Sequence, residues 1–457
     1  MERTMTEGKE WKLILFFTLP LMAGNFLQQL YNAVDGIVVG NFAAAGEDAL
    51  SAVGTCAPVT MLFIAIAMGM STGCSILIAQ LYGARRYEEM RQAVTTSLIL
   101  VGAIGLVLSV AGGVVAKWLL THVLNVPEQF LADATAYFTI YCVGLIFQFI
   151  YNIVAFILRA LGDSAATLYF LLVSSVTNII LDLVFVAVFH WDVPGVAVAT
   201  VIAQALSAVV SLVYMFRKHA ILRFAPKEFR FHRKQAALAL RLSIPTTLQQ
   251  CIISSGHMAI QRIVNDFGIT AAFTAAMRVE NFVMIPIFAF NVGLATFTGQ
   301  NVGAQKLDRV STGFKVTQVM GLIVCAAVAL IAYLAAAPLV GLFGVAGATQ
   351  DVGVQYLHFV APWFLVFCVY IITNGVLQGS GDVVFTAVNT ISSLAIRCVA
   401  AYCMAYLTPV GGAAAWISLP VGWVYSIFLS LGRYKWGPWR KKAVVSAGEQ
   451  PRQLEEG

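Results

Sequence analysis

Leu27-Gln-Gln-Leu-Tyr-Asn-Ala-Val-Asp-Gly-Ile-Val-Val-Gly40 places a carboxylate, Asp35, inside a long apolar run. A second run, Thr177-Asn-Ile-Ile-Leu-Asp-Leu-Val-Phe-Val-Ala187, does the same with Asp182 and sets Asn178 one helical turn before it. An ionisable group is costly in hydrocarbon, so such positions point by default to a proton, ion or substrate pathway. Everything else depends on whether these runs cross a membrane.

Composition says that they do. The 457 residues are 60% hydrophobic and only 11% charged, where a soluble domain would carry about 25% charge. A soluble fold could not hide so much apolar surface, and the chain is read as an integral membrane protein. The N-terminus is polar and carries no signal-peptide pattern. The eight cysteines all fall in apolar stretches and none forms a Cys-x-x-Cys pair. They read as small core residues rather than a disulfide framework or zinc site.

Twelve apolar stretches are long enough to span a bilayer: 13–40, 50–80, 92–116, 134–160, 165–189, 194–216, 237–264, 271–300, 314–340, 352–378, 384–407 and 411–432. With the N-terminus inside, Lys117 and Arg262 fall at outer ends, and Arg278 and Arg397 fall within spans. All other Lys and Arg fall on the inner side. That bias predicts both termini in the cytoplasm of a bacterial inner-membrane protein. It also explains the net charge of +6 without a nucleic-acid partner. The expected organisation is an all-α membrane protein: a cytoplasmic N-terminus 1–12, a six-helix lobe 13–216, a basic linker 217–236, a second six-helix lobe 237–432 and a cytoplasmic tail 433–457.

The two halves resemble each other. Leu19-Pro20 matches Ile244-Pro245, Gln80-x-x-Gly83-Ala84 matches Gln300-x-x-Gly303-Ala304, and Gly162-Asp163 matches Gly381-Asp382, at offsets of 225, 220 and 219. Six spans per half in the same orientation predict two lobes related by a pseudo-two-fold axis along the membrane normal, a transporter architecture.

These segments also carry a family resemblance. Leu19-Pro-Leu, Tyr31-Asn-Ala-Val-Asp35-Gly, Val39-Gly40, Ala79-Gln-Leu-Tyr-Gly-Ala84, Arg159-Ala-Leu-Gly-Asp163 and Met277-Arg-Val-Glu280-Asn-Phe282, in this order over nearly the whole chain, resemble the MATE (multidrug and toxic compound extrusion) transporters, nearest the DinF-like prokaryotic branch. The resemblance implies a coupling-cation site in the N-lobe at Asp35, Asn178, Asp182 and Thr200, able to hold H⁺ or Na⁺, with Tyr31 and Asn152 in the supporting network. It also implies that the first span bends at Pro20 in response to Asp35. NorM-like members carry a seventh-span Glu for sodium coupling. Gln249-Gln-Cys-Ile-Ile-Ser-Ser255 has none, so a C-lobe sodium site of that type is not expected.

The residues themselves say what such a site could do. Counted from the inner ends of their spans, Asp35 lies about 33 Å deep and Asp182 about 26 Å deep, so the two can meet in the outer half. Two carboxylates close together in low dielectric cannot both ionise freely, and the pair should take up a proton or cation. The other half has lost the acids: Ile260, Arg397 and Ala401 stand opposite Asp35, Asn178 and Asp182. Arg397 cannot be neutralised cheaply, and Glu280 is the acid nearest to hand, which predicts an ionic pair of Glu280 with Arg397 or Arg278. Arg262 and Asp266 read as an ordinary i,i+4 pair.

The expectation is a cation-coupled antiporter, H⁺ or Na⁺, that exports amphipathic, often cationic, small molecules. It is a monomer without cofactor and with membrane lipid around it. A lipid-linked oligosaccharide flippase is the alternative. A membrane enzyme is disfavoured because no metal cluster or nucleophile–base spacing is present.

Overall fold

A computed structural model describes residues 4–42, 47–189, 191–224 and 228–444; the side chains of 31–42, 47–53, Ala187, Asp192 and His257 lie outside that description. The described residues form helices and connecting turns, with no strand. The helices are α1 (Glu10–Phe42), α2 (Glu47–Gly83), α3 (Tyr87–His122), α4 (Glu128–Ala160), α5 (Ser164–Asp182), α6 (Asp192–Lys218), α7 (Arg233–Asp266), α8 (Thr270–Gly303), α9 (Leu307–Leu334), α10 (Ala336–Gly341), α11 (Ala348–Val360), α12 (Phe364–Gly379), α13 (Val383–Leu407), α14 (Ala414–Ile417) and α15 (Leu419–Trp436). Single spans are built from α11 with α12 and from the 411–436 segment containing α14 and α15.

Eleven helices among the described residues are long and apolar enough to cross a membrane. The expected twelfth is α7. At 34 residues it is long enough to cross a bilayer. Its apolar content is diluted by Gln249, Gln250, Ser254, Ser255, His257 and Gln261, which the count of an apolar run from 237 to 264 passed over.

The helices carry their greasiest residues outward. Val114 is 80% exposed, Leu334 75% and Leu407 78%, which in water would be an aggregating surface and in lipid is ordinary. Inside each unit one or two helices are wrapped by the rest. In α4 61% of the spanning window is buried, and in α8 and the α11–α12 span 67%, against 17% in α3.

The chain divides into two compact units. One holds Ala23–Ile78 and Tyr87–Thr247; the other holds Arg3–Met22, Ala79–Arg86 and Leu248–Gly457. The division therefore falls inside α1, α2 and α7; in α1 and α7, but not in α2, it comes two residues beyond a proline, Pro20 and Pro245. Within the first unit α7 crosses α2 where glycine permits it: a Cβ on Gly73 would meet the backbone of Ser243, and one on Gly69 the backbone of Thr247. Thr246 Oγ1 and Ser243 Oγ donate to the carbonyls of Gly69 (2.7 Å) and Met70 (2.9 Å). The second unit repeats the device with α1 against α8, where a Cβ on Gly293 would come within 2.6 Å of Thr18 Oγ1. Gly73 and Gly293, like Thr18 and Ser243, are partners in the duplication. Small residues that let backbones approach are the usual means of helix association in lipid.

The loops repeat as well. Gly162 and Gly381 both take φ 93°, a conformation that a side chain would strain. Arg85 and Gln305 take φ 57° and 59° just past the ends of α2 and α8. Gly83 and Gly303 end those helices, and each is needed for a close approach: a Cβ on Gly83 would strike the Gln300 carbonyl, and one on Gly303 the Gln80 carbonyl. The fully buried Gln80 and Gln300 then hold chain segments near the two termini. Gln80 Oε1 accepts from Val444 N at 2.8 Å, and Gln300 Oε1 accepts from Met5 N at 2.8 Å.

Candidate functional site

α5 shows why its polar residues cannot be ordinary surface. Val176 and Ile180 are 54% and 55% exposed, while Asn178 and Asp182 are 2% and 1% exposed. The helix turns its apolar face outward and its carboxylate inward, the reverse of a helix on a soluble protein. Asn178 and Asp182 lie four residues apart and so share the inner face. α5 packs on α6, which carries Thr200, and α6 packs on α4, which carries Asn152. Thr200 Oγ1 donates to Val196 O at 2.9 Å, and Asn152 Nδ2 donates to Gln148 O at 2.9 Å. Asp35 and Tyr31 belong to α1, but their side chains are outside the described residues.

One feature at this site had no sequence signal. Directly after Asp182 the helix widens into a π-helical stretch, Leu183–Val188, whose last turns close through Phe189 N to Val184 O and Trp191 N to Phe185 O. Such insertions are rare and are frequent at functional sites. Nothing in the residue types of Leu-Val-Phe-Val-Ala-Val dictates it.

The second unit brings together a different set. Glu280 on α8 accepts a hydrogen bond from Tyr356 Oη on α11. Tyr356 is gripped edge-on by Phe273 and Trp416, at centroid distances of 5.6 and 5.5 Å. Arg397 on α13 is near enough for its charge to act on Glu280. The direct ion pair expected of Glu280 does not form, however: among the described residues neither Arg397 nor Arg278 comes within 4.0 Å of it. The reason is the unforeseen tyrosine, which occupies the carboxylate instead. Arg278 is exposed, and its guanidinium lies 5.7 Å from the Phe343 ring centre. Arg262 and Asp266 do form their i,i+4 pair, at 4.0 Å, and Tyr406 Oη donates to Asp266 at 2.5 Å.

Outside the spans, the duplicated Gly-Asp loops hold their carboxylates by different means. Asp163 caps α5 through Ala166 N (3.2 Å), accepts from Tyr214 Oη (3.0 Å) and lies 3.2 Å from His219 Nε2. Burial alone would raise its pKa. The hydrogen bonds from His219, Ala166 and Tyr214, with the His219 charge, outweigh that and hold it below the ordinary 3.8. Asp382, 4% exposed, takes both arms of Arg433 at 2.7 and 3.2 Å.

A many-spanned helical protein with a buried, inward-facing carboxylate has the make-up of a membrane transporter. A family model described as MatE matches residues 20–184 and 245–403, and the chain belongs to this MATE multidrug efflux transporter family. It is 27% identical over 445 residues to "Probable multidrug resistance protein YoeA" of Bacillus subtilis (strain 168), covering 95% of each chain. It is 26% identical over 439 residues to "Probable multidrug resistance protein YpnP" of the same organism, covering 95% of this chain and 97% of that one. Among solved structures, one described as "Crystal structure of MATE in complex with MaD3S" superposes with a TM-score of 0.88 at 24% identity, covering 96% of this chain and 98% of that one. These transporters are not enzymes; they need no cofactor, use ion coupling and carry small molecules.

Proposed function

We propose that the protein is a cation-coupled antiporter in which Asp35 and Asp182, with Asn178 and Thr200, form the coupling site, and that it exports amphipathic, often cationic, compounds across the bacterial inner membrane with both termini in the cytoplasm. The observation that carries this reading is the 1% exposure of Asp182 on a helix whose apolar residues face outward. A carboxylate in that position is retained against a large desolvation cost, and cation exchange gives it a use. H⁺ is placed ahead of Na⁺ because two nearby carboxylates can share a proton without the full oxygen shell that a metal ion needs. A site that binds its cation better in one conformation shifts the population by that differential affinity, and this couples the gradient to export. The first helix responds through Pro20. Tyr31 and Asn152 support the network by position. The relatives named for multidrug resistance support small-molecule drugs as the cargo. The flippase alternative is less favoured, because only Arg278 and Arg397 supply cations within the spans for a pyrophosphate.

Proteoliposomes test the proposal. A pH gradient should drive uptake of a cationic dye in wild type, a Na⁺ gradient alone should drive less, and Asp182→Asn should abolish gradient-driven uptake. Full coupled transport by Asp182→Asn would remove the site assignment.

A further inference from the structure

A guanidinium without an acceptor is the hardest group in the second unit to account for. Arg397 stands ten residues from the outer end of α13 (Val383–Leu407) and is only partly exposed. Its Nε is sealed from solvent with no hydrogen-bond partner, and no described residue accepts from its other nitrogens. Glu280 cannot serve, because it is turned to Tyr356 and forms no ion pair with Arg397. Tyr356 in turn is fixed by Phe273 and Trp416, so the carboxylate is held where it is. On the other side α15 presses close: a Cβ on Gly422 would come within 3.3 Å of Arg397 Cβ. Glu280, Tyr356 and Arg397 each lie about 12–15 Å from the outer end of their helices, so the three share one depth.

A buried polar group without its partner calls for an explanation, and a charged one inside a span marks a pathway more often than packing. A guanidinium is always charged and offers a planar fork that matches a carboxylate or phosphate. We propose that Arg397 is an oxyanion-binding group that receives the acidic end of a zwitterionic or anionic amphiphile, while Tyr356 keeps Glu280 from filling the place. The substrate class then extends beyond cations to compounds bearing an acidic group. This rests on the efflux reading only in taking organic amphiphiles as ligands; it does not depend on which residues couple the cation.

A dye pair differing in one group tests it. Tetramethylrhodamine carries a free carboxylate, and its methyl ester does not. Binding of both to purified full-length protein in detergent is read by fluorescence anisotropy, with no gradient present. Arg397→Gln should weaken the free acid at least about tenfold and change the ester by less than about twofold. Arg397→Lys should fall between, and Glu280→Gln should tighten the free acid by removing a like charge. Retained ester binding reports that each variant is folded, and Arg397→Lys serves if Arg397→Gln is not. Equal weakening of both dyes, or of neither, would overturn the proposal. So would dependence on Arg397 for dihexanoyl phosphatidylglycerol but not for the free-acid dye, which would make this a lipid site. Failure of gradient-driven transport with the dye discrimination intact would count against the coupling reading and leave this one standing.

Discussion

At the scale of single residues, the two duplicated aspartates show how one position can be satisfied in two ways. Asp163 and Asp382 sit 219 apart, and so do Tyr214 and Arg433, the groups that bind them. In one half the carboxylate is held by neutral hydrogen bonds and a histidine; in the other it is held by a permanent charge. Removing Arg433 strands a carboxylate that is 4% exposed, and breaking such a pair costs about 3–5 kcal/mol. Arg433→Ala should therefore lower the thermal midpoint in detergent by several degrees, far more than Arg85→Ala, whose partner Glu7 is a surface residue. The pH dependence of Asp163 has a definite sign. Its folded pKa is lowered, so its contribution to stability is present above the ordinary carboxyl value and is lost as pH falls through the folded one. The stability difference between wild type and Asp163→Asn should therefore be present at neutral pH and shrink below about pH 3.8. A difference that grows on acidification would contradict this. The repeat of Gly-Asp was legible in the sequence, and so was the oddity of Asp182 in an apolar run. The partners were not: Tyr214 is 51 residues from Asp163, and Tyr356 is 76 residues from Glu280. Local periodicity carries no information about pairings that only helix packing creates.

At the scale of helices, Pro20 and Pro245 lie two residues before the places where α1 and α7 pass from one compact unit to the other. A proline removes one backbone hydrogen bond and lets a helix bend there. If those bends serve transport, Pro245→Ala should slow efflux while leaving dye affinity in detergent unchanged, and Pro20→Ala should behave alike. Loss of affinity with an unchanged turnover would argue against bending. Gly83 and Gly303 belong to a different class. Each takes a backbone carbonyl of the other's helix where a Cβ would be, so Gly83→Val should destabilise the protein by about 1–3 kcal/mol or more, read as a lowered melting midpoint. The sequence marked these glycines as partners in the duplication, and α2 and α8 stop at them. It did not signal the break after Leu334 or the π-helical stretch after Asp182, because no glycine or proline stands directly at either; the break after Val360 does have a proline beside it, Pro362, inside a run that reads as one apolar span. Nor did it foresee that α7 would be the least apolar of the long helices, since its polar residues come as short pairs and singles between apolar ones.

At the scale of the molecule, the duplication is written twice, once in matched sequence segments and again in matched contacts such as Gly73 on Ser243 and Gly293 on Thr18. The chemistry is not duplicated. The first unit keeps Asn178 and Asp182 buried, and the second has Arg397, Ala401 and the Glu280–Tyr356 pair instead. This asymmetry is the reason to assign cation exchange to one half. The most direct measurement is the cation released when substrate binds. Purified protein in weakly buffered detergent solution receives tetraphenylphosphonium while a pH indicator is followed. Wild type should release about one proton per substrate bound, and Asp35→Asn and Asp182→Asn should release far less. Equal proton release from the Asp182→Asn variant would contradict the account.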